Sequence, residues 1–275
     1  MNNPILSIIT VNYNNRAGLL PTLESIRSQS FDSYEHIIID AGSTDGSKEI
    51  IQSYEKESFH LSYWISEPDK GIYDGMNKGI RQAHGEYLCF LNSGDCLCPD
   101  ILNKVTFDGT GYLYGDVLMC YERKNKKRTY PDTLDLIYLS ARSLHHQSCF
   151  IHRSLFQDKA YDTNYKIISD WAHSFQCIVM ENCTYRHLPF VVSQCDGRGI
   201  SSNGKALDKE RIQWFQATYP AVLSQSFIDC NALEQAGFRE VVHILGQTHK
   251  FKKRMKALIL FLYRIHRLFS FKHSS

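Results

Sequence analysis

The chain reads as an α/β protein built on a mostly parallel sheet flanked by helices. Two observations predict this. Over residues 5–91, four short apolar runs alternate with three amphipathic stretches of helical period. Each run also stops on Asn, Asp, Ser or Gly, the residue types of the turns that follow strands. At 275 residues and 43% hydrophobic, the chain can bury a large core, in one domain or in a domain with an appendage.

Residues 5–11 form the first buried strand, followed by Asn12-Tyr13-Asn14-Asn15 and a helix with Leu19, Leu20, Leu23 and Ile26 on one side. Residues 36–40 make the second strand, ended by the run Ala41 to Gly46, with a helix over 47–54. The third strand covers 61–66; Tyr73, Met76 and Ile80 then mark a helix closed at His84-Gly85. The fourth, 87–91, halts at Asn92-Ser93-Gly94-Asp95, and Pro99 opens the next helix. From residue 112 the pattern loosens. A strand over 112–119 pairs with one near Arg128 across the turn Lys124-Asn125-Lys126-Lys127. Short mixed elements run to about Pro189, residues 203–237 are helical, and a basic tail closes the chain.

Composition narrows the function. Neither G-x-G-x-x-G nor a Walker A motif follows any strand, which removes the main support for dinucleotide and P-loop chemistry. The net charge of +2 hides an asymmetry. Residues 250–272 hold eight Lys or Arg, and no acid follows Glu240. The remainder carries 23 basic and 29 acidic residues, so no nucleic-acid-binding face is expected on the body. On a helix, Met255, Leu258, Ile259, Leu262, Ile265 and Phe269 share one face, and Lys253, Lys256, Arg264 and Arg267 the other. Such a helix suits an anionic membrane surface, or docks on the body or on a second copy. The longest apolar run near it, 257–263, is too short to cross a bilayer. Asn2, Asn3 and Pro4 pass straight into a strand pattern without a signal-like core, which argues for a cytoplasmic protein. The nine cysteines fit that compartment as reduced thiols; Cys96-Leu97-Cys98 lacks a second pair at zinc-site spacing.

Parallel topology brings the strand ends to one edge of the sheet, where open α/β folds bind ligands. Asn12 and Tyr13 follow the first strand, Asp40 and Ser43 the second, Glu67-Pro68-Asp69-Lys70 the third and Asp95 the fourth. Tyr13 can lie against a base, Asp40 can accept a base N–H or a ribose hydroxyl, and Lys70 can face phosphate. Asp95 is a hard oxygen ligand beside a glycine turn, able to hold a divalent cation against phosphate. Each residue taken singly also reads as a helix cap or a turn. Asp74, Asn77 and Lys78 either reach the same cleft or lie in solvent.

Four segments together resemble the nucleotide-sugar-dependent glycosyltransferases of family 2. They are Leu6-Ser-Ile-Ile-Thr-Val-Asn-Tyr-Asn-Asn15, His36-Ile-Ile-Ile-Asp-Ala-Gly-Ser-Thr-Asp-Gly46, Glu67-Pro-Asp-Lys-Gly-Ile-Tyr-Asp-Gly-Met-Asn-Lys-Gly79 and Phe90-Leu-Asn-Ser-Gly-Asp95. The likeness is close over 5–100, looser to about 205, and most similar to bacterial enzymes of surface polysaccharide or O-antigen synthesis. It implies a GT-A fold with a Rossmann-like central sheet. It also implies one domain over 1–240, with a nucleotide-sugar half at 1–100 and an acceptor half at 101–240, followed by the tail at 241–275. Thr10, Val11, Asn12, Tyr13 and Asp40 are then expected to hold the nucleoside, with Asp69 and Lys70 nearby. The family's acidic metal motif falls on Asn92, Ser93, Gly94 and Asp95; with Asn92 and Gly94 where acids are common, Asp95 alone is left to bind Mg²⁺ or Mn²⁺, completed by diphosphate oxygens.

By the same resemblance, Asp170 in Ile167-Ile168-Ser169-Asp170-Trp171 is the base that deprotonates the acceptor; read alone, it caps a helix over 171–179. His146 and Gln147 match a family position near donor or acceptor, and Asp116 in Tyr114-Gly115-Asp116 is a candidate for holding sugar. Arg198, on a glycine-flexible loop, closes over the diphosphate or lies in solvent. The expectation is an inverting enzyme moving one hexose from a nucleotide sugar, UDP by resemblance, to a lipid-diphosphate-linked glycan. It would work at the inner face of the bacterial inner membrane, bound there through 250–272. The alternatives are a sugar nucleotidyltransferase, which would want a glycine-rich phosphate loop after the first strand, and an inactive nucleotide-sugar-binding scaffold, which the missing acids at Asn92 and Gly94 suggest.

Overall fold

A computed structural model describes residues 3–197, 199 and 204–238. Expectations for Arg198 and for the tail at 241–275 lie outside the described residues. Contacts divide the chain into two compact units. Among the described residues, one holds 3–134 and 142–219 and the other joins 135–141 to 220–238. The boundary expected at 240 also lies outside the described residues.

The first unit is built on one sheet. Its opening four strands are β1 (Leu6–Asn12), β2 (Tyr34–Asp40), β3 (Leu61–Ser66) and β4 (Tyr87–Phe90). They run parallel in the order β3-β2-β1-β4, linked by α1 (Arg16–Arg27), α2 (Ser47–Glu57) and α3 (Ile72–Gln82). β1 and β2 are buried along their whole length, which is why they read as continuous apolar runs. Each of Ile8, Ile9, Ile37, Ile38 and Ile39 is fully buried and stabilises the sheet by about 1.5–3 kcal/mol. In α1, Leu19, Leu23 and Ile26 face the core, but Leu20 is 59% exposed, one position off the buried stripe.

Two expectations at chain reversals are corrected. α3 ends on Ala83 in an extended conformation, so Gly85 is not a left-handed helix stop. A Cβ on Gly85 would sit 2.5 Å from the Ser7 backbone nitrogen; glycine is required there for close approach to β1. Pro99 opens no α-helix. β5 (Cys96–Leu97) precedes it, and only a 3-10 turn, Leu102–Lys104, follows.

Beyond residue 100 the sheet becomes mixed. β6 (Tyr112–Cys120) and β7 (Lys126–Arg128) form the expected hairpin, with Val117 opposite Arg128. β8 (Cys149–His152) runs antiparallel to both β4 and β6. β9 (Tyr185–Asp196) lies parallel to β6 and antiparallel to β5. The sequence reading placed only short mixed elements up to Pro189, whereas β9 passes through it. Pro189 lies where the β6–β9 register slips between Leu188 and Val191, so its missing N–H leaves no gap in the ladder. α5 (Ser169–Phe175) passes into a π-turn over Gln176–Met180, and α6 (Gly204–Thr218) completes this unit.

The second unit pairs α4 (Leu136–Ala141) with α7 (Ala221–Gln235), where Asn231 donates to the Ser140 carbonyl at 3.3 Å. Among the described residues, no helix is long and apolar enough to cross a membrane.

Candidate active site

The carboxyl ends of β1, β2 and β3 are braced by one buried carboxylate. Asp40 Oδ1 accepts from Asn12 Nδ2 at 2.7 Å and Ser43 Oγ at 2.6 Å. Its Oδ2 accepts from the Ser43 N–H at 2.9 Å and Ser66 Oγ at 2.6 Å. These four bonds use the acceptor positions a carboxylate has. What Asp40 contributes in this geometry is the fixing of Asn12 and Ser43, rather than a free acceptor for a nucleoside. Burial opposes its charge, but the bonds from Ser43, Ser66 and Asn12 outweigh it and hold the carboxyl below its usual range. Among the described residues, Asn12 Oδ1 is buried and has no hydrogen-bond partner, which leaves it an acceptor for an incoming N–H. Thr10 is turned inward to His36 Nε2 at 2.9 Å, and Val11 is buried beneath α3 near Gly75. Tyr13 stands 65% exposed at this edge, where its ring is open to a flat ligand.

After β3, Asp69 accepts from the Gly71 N–H, while Lys70 is exposed and its N–H bonds Asp74. Burial raises the Asp69 carboxyl. The other two uncertain α3 residues are structural. Lys78 pairs with Glu67 at 2.7 Å, and Asn77 exchanges two hydrogen bonds with the Tyr161 backbone, at 2.8 and 2.9 Å.

The segment after β4 is fixed against α1. Asn15 caps α1 through Oδ1 to the Gly18 N–H and bonds the Ser93 carbonyl through Nδ2 at 2.8 Å. Gly94 has φ +102°, which favours glycine, and its N–H reaches Thr22 Oγ1. This turn sets Asp95 inward, where it is 6% exposed. Its Oδ2 accepts from Gln147 Nε2 at 3.0 Å and its Oδ1 from the Asp196 N–H at 3.1 Å. Burial pushes the Asp95 carboxyl up, against the hydrogen bond from Gln147.

Gln147 leads directly to the second carboxylate. Its neighbour His146 presents Nδ1 to Asp170 Oδ2 at 2.8 Å and Nε2 to Asn92 Nδ2 at 3.1 Å. Tyr73 on α3 donates to Asp170 Oδ1 at 2.8 Å. Asp170 lies in the first turn of α5, but Ile168 occupies the cap position, so Asp170 does not serve as the helix cap. Burial opposes its charge; His146, Tyr73 and the Trp171 N–H prevail and hold the carboxyl below its usual range. Asp95, Gln147, His146, Asn92 and Asp170 therefore form one connected polar cluster, 13–14% exposed at the His146–Asp170 pair.

Asp116 stands apart from this cluster. Its carboxylate pairs with Lys127 at 3.0 Å and His187 at 3.0 Å and accepts from the Tyr130 N–H. These contacts pin the β6–β7 hairpin; sugar contact from Asp116 has no support in them. Tyr73 is the residue that sequence reasoning passed over. It read as an apolar helix position, yet a buried tyrosine must find a partner for its hydroxyl, and that requirement was the available signal.

The donor chemistry here suits a cation that shares its shell with substrate. Asp95 is a hard donor, but among the described residues no group of three or more His, Cys, Asp or Glu side chains can hold a metal. The cluster fits a divalent ion completed by phosphate oxygens, and does not form a protein cage.

The family model described as glycosyl transferase family 2 matches residues 7–159. The chain belongs to that family. A "PGL/p-HBAD biosynthesis glycosyltransferase" of Mycobacterium bovis is 30% identical over 215 residues, covering 75% of this chain and 82% of the relative. Among solved structures, S. aureus TarS 1–349 in complex with UDP superposes with a TM-score of 0.63 at 14% identity, covering 90% of this chain and 76% of that one. Against a longer TarS chain, this chain spans 46% of the length. The mannosyltransferase PcManGT of Pyrobaculum calidifontis, in complex with GDP-Man and Mn²⁺, gives a TM-score of 0.59 at 17% identity, covering 98% and 83%. The family member thus has the GT-A fold, with both carboxylates of the cluster drawn from its mixed α/β body.

Proposed function

We propose that the chain is an inverting, cation-dependent hexosyltransferase that moves one hexose from a UDP-sugar to a lipid-diphosphate-linked glycan during bacterial surface polysaccharide synthesis, of the O-antigen type. The observation that carries this reading is that Gln147 bonds Asp95 while its chain neighbour His146 bonds Asp170, which links the two carboxylates that the reading assigns to diphosphate and to acceptor. The UDP and GDP-Man complexes of the structural neighbours support a nucleotide-sugar donor, and the Mn²⁺ in one supports a divalent ion.

In this reading Tyr13 and Asn12 meet the nucleoside, with Asp40 holding Asn12 in place. Asp69 and Lys70 border the donor, and Asn92, Ser93 and Gly94 shape the floor beneath it. Asp95 holds Mn²⁺ or Mg²⁺, which when bound offsets charge on the leaving diphosphate. Asp170 accepts the proton of the acceptor hydroxyl as that oxygen attacks the anomeric carbon from the opposite face, so configuration inverts. Gln147 keeps Asp95 oriented. The basic tail holds the enzyme peripherally on the anionic cytoplasmic face of the inner membrane, where a lipid-linked acceptor resides.

Purified protein with Mn²⁺, a panel of UDP-sugars and a synthetic GlcNAc- or GalNAc-diphosphate-lipid is expected to release UDP. Asp170→Asn should lower kcat by about 10²–10⁴-fold, and Asp95→Ala should abolish cation-dependent donor binding, both with unchanged circular dichroism. Full activity in Asp170→Asn would remove the base assignment. Flotation with phosphatidylglycerol vesicles should be lost on truncation after Gly246; undiminished binding would exclude the tail as anchor.

A further inference from the structure

Resting on the reading of a lipid-diphosphate-linked acceptor, we propose that Lys126 and Arg128, on β7, bind the acceptor's diphosphate beside the catalytic cluster. Residues 123–128, Arg-Lys-Asn-Lys-Lys-Arg, place five cations and no acid on six consecutive exposed positions. Like charges this close repel one another and weaken a two-stranded ribbon. Lys127 is neutralised within the fold, its ammonium pairing with Asp116 at 3.0 Å. Among the described residues, Lys126 and Arg128 form no ion pair and no side-chain hydrogen bond.

Strand alternation separates these three side chains. Lys127 lies opposite Leu118, on the side of β6 that carries Asp116, whereas Lys126 and Arg128 lie opposite Met119 and Val117, on the other side. Residues two apart on a strand are ~7 Å apart, so two long cationic side chains can converge on one diphosphate. Two contacts tie this ribbon to the site. Val117 is in register with Ser193 of β9, and Ser193 Oγ lies 2.6 Å from Ser148 Oγ, in the turn that holds His146 and Gln147. Tyr130, two residues beyond Arg128, meets both the ring Nδ1 and the N–H of His145 through its hydroxyl. The Arg128 charge is felt at His145, where it follows burial as the largest influence lowering the imidazole.

The ribbon thus approaches the His146–Gln147 pair from its His145 end, the end that leads to Asp170. A sugar that offers a hydroxyl to Asp170 holds its anomeric diphosphate about one ring width away. The donor's diphosphate is assigned to the cation at Asp95, at the other end of the pair, so the charges of the ribbon are left for the acceptor. Lysines also guard sheet edges against pairing with another chain, and among the described residues β7 pairs with β6 alone. That use predicts self-association, rather than a change in acceptor binding, when the charge is removed.

The experiment compares the wild-type full chain with Lys126→Gln/Arg128→Gln and with Arg123→Gln/Lys124→Gln, which removes the same charge from the hairpin turn. Circular dichroism and gel filtration first establish that each variant is folded and monodisperse. With a UDP-sugar that supports transfer, acceptor KM is measured for the GlcNAc- or GalNAc-diphosphate-lipid in detergent micelles, and for the same sugar on an alkyl chain without phosphate. Lys126→Gln/Arg128→Gln should raise KM for the diphosphate acceptor about tenfold or more, with KM for the neutral glycoside and for the donor as in the wild type. Arg123→Gln/Lys124→Gln should shift acceptor KM far less. Parallel losses in the two variants, or equal losses with the neutral glycoside, overturn the proposal. So does an unchanged acceptor KM; self-association would then give the charges to the sheet edge, and weaker flotation on phosphatidylglycerol vesicles would give them to lipid headgroups. If no donor supports transfer by the wild type, the function proposed above fails. Calorimetric titration of geranyl diphosphate, without donor or divalent ion, then decides the role of the ribbon. Binding about tenfold weaker in Lys126→Gln/Arg128→Gln supports it; equal binding, or none by the wild type, overturns it.

Discussion

At the scale of single residues, the chemistry of this protein is governed by how each carboxylate is paired. Asp40, Asp95, Asp116 and Asp170 are all largely or wholly withdrawn from solvent, yet each has a different set of donors. Asp40 makes the clearest thermodynamic statement. Its folded pKa lies below the unfolded value of about 3.9. Its contribution to stability is therefore complete above about pH 4 and is lost as pH falls through the lower folded value. Asp40→Asn should cost about 1–3 kcal/mol at pH 7 and flatten the acid side of the stability curve. Denaturant unfolding between pH 2 and 7 measures both, and an unchanged acid limb would exclude Asp40 as a source of that slope. These four aspartates were all visible in the sequence, but their roles were not equally legible. Asp95 and Asp170 sit in local patterns that carry a resemblance. Whether Asp40 or Asp116 meets a ligand depends on Ser66, His187 and Lys127, which come from other strands and leave no trace in local spacing.

At the scale of elements, legibility follows the period of burial. β1, β2 and β4, buried throughout, stand out as apolar runs. β9 does not, because its burial is interrupted and it carries Pro189. α5 begins two residues before the start that the sequence pattern predicts, since the Asp170 side chain points into the site instead of capping the helix. α3 shows how one element serves two ends. It delivers Tyr73 to Asp170, and one turn later Asn77 locks the backbone of Tyr161, in the chain that leads to α5. Asn77→Ala would strand a buried N–H and a buried C=O. We expect a loss of about 1–3 kcal/mol in thermal or urea unfolding. Transfer should weaken beyond what the loss of folded protein explains, because Asp170 is held from both sides of this link. Activity falling only in step with stability would show that the link carries no positional information.

At the scale of the whole molecule, the charge separation between a mildly acidic body and a strongly basic tail was available from the sequence alone. The sheet order was not. Four parallel strands are the predictable half of an open α/β fold, since each crossover is local and right-handed. The pairing of β8 between β4 and β6, and of β9 with both β6 and β5, joins segments far apart in the chain, and nothing in local pattern specifies those partners. Resemblance supplied the fold class there, and the geometry supplied the register.

The bond from the Asp196 N–H to Asp95 spans 101 residues. A chain emerging from the ribosome therefore displays the complete Asn92-to-Asp95 turn long before the partner that seats its carboxylate exists. β5 can find its place only once β9 has been made, and such distant pairings are slow to form. Competence to engage a donor would arise late in biosynthesis, so a product ending before β9 would carry every nucleotide-side motif and still be inert.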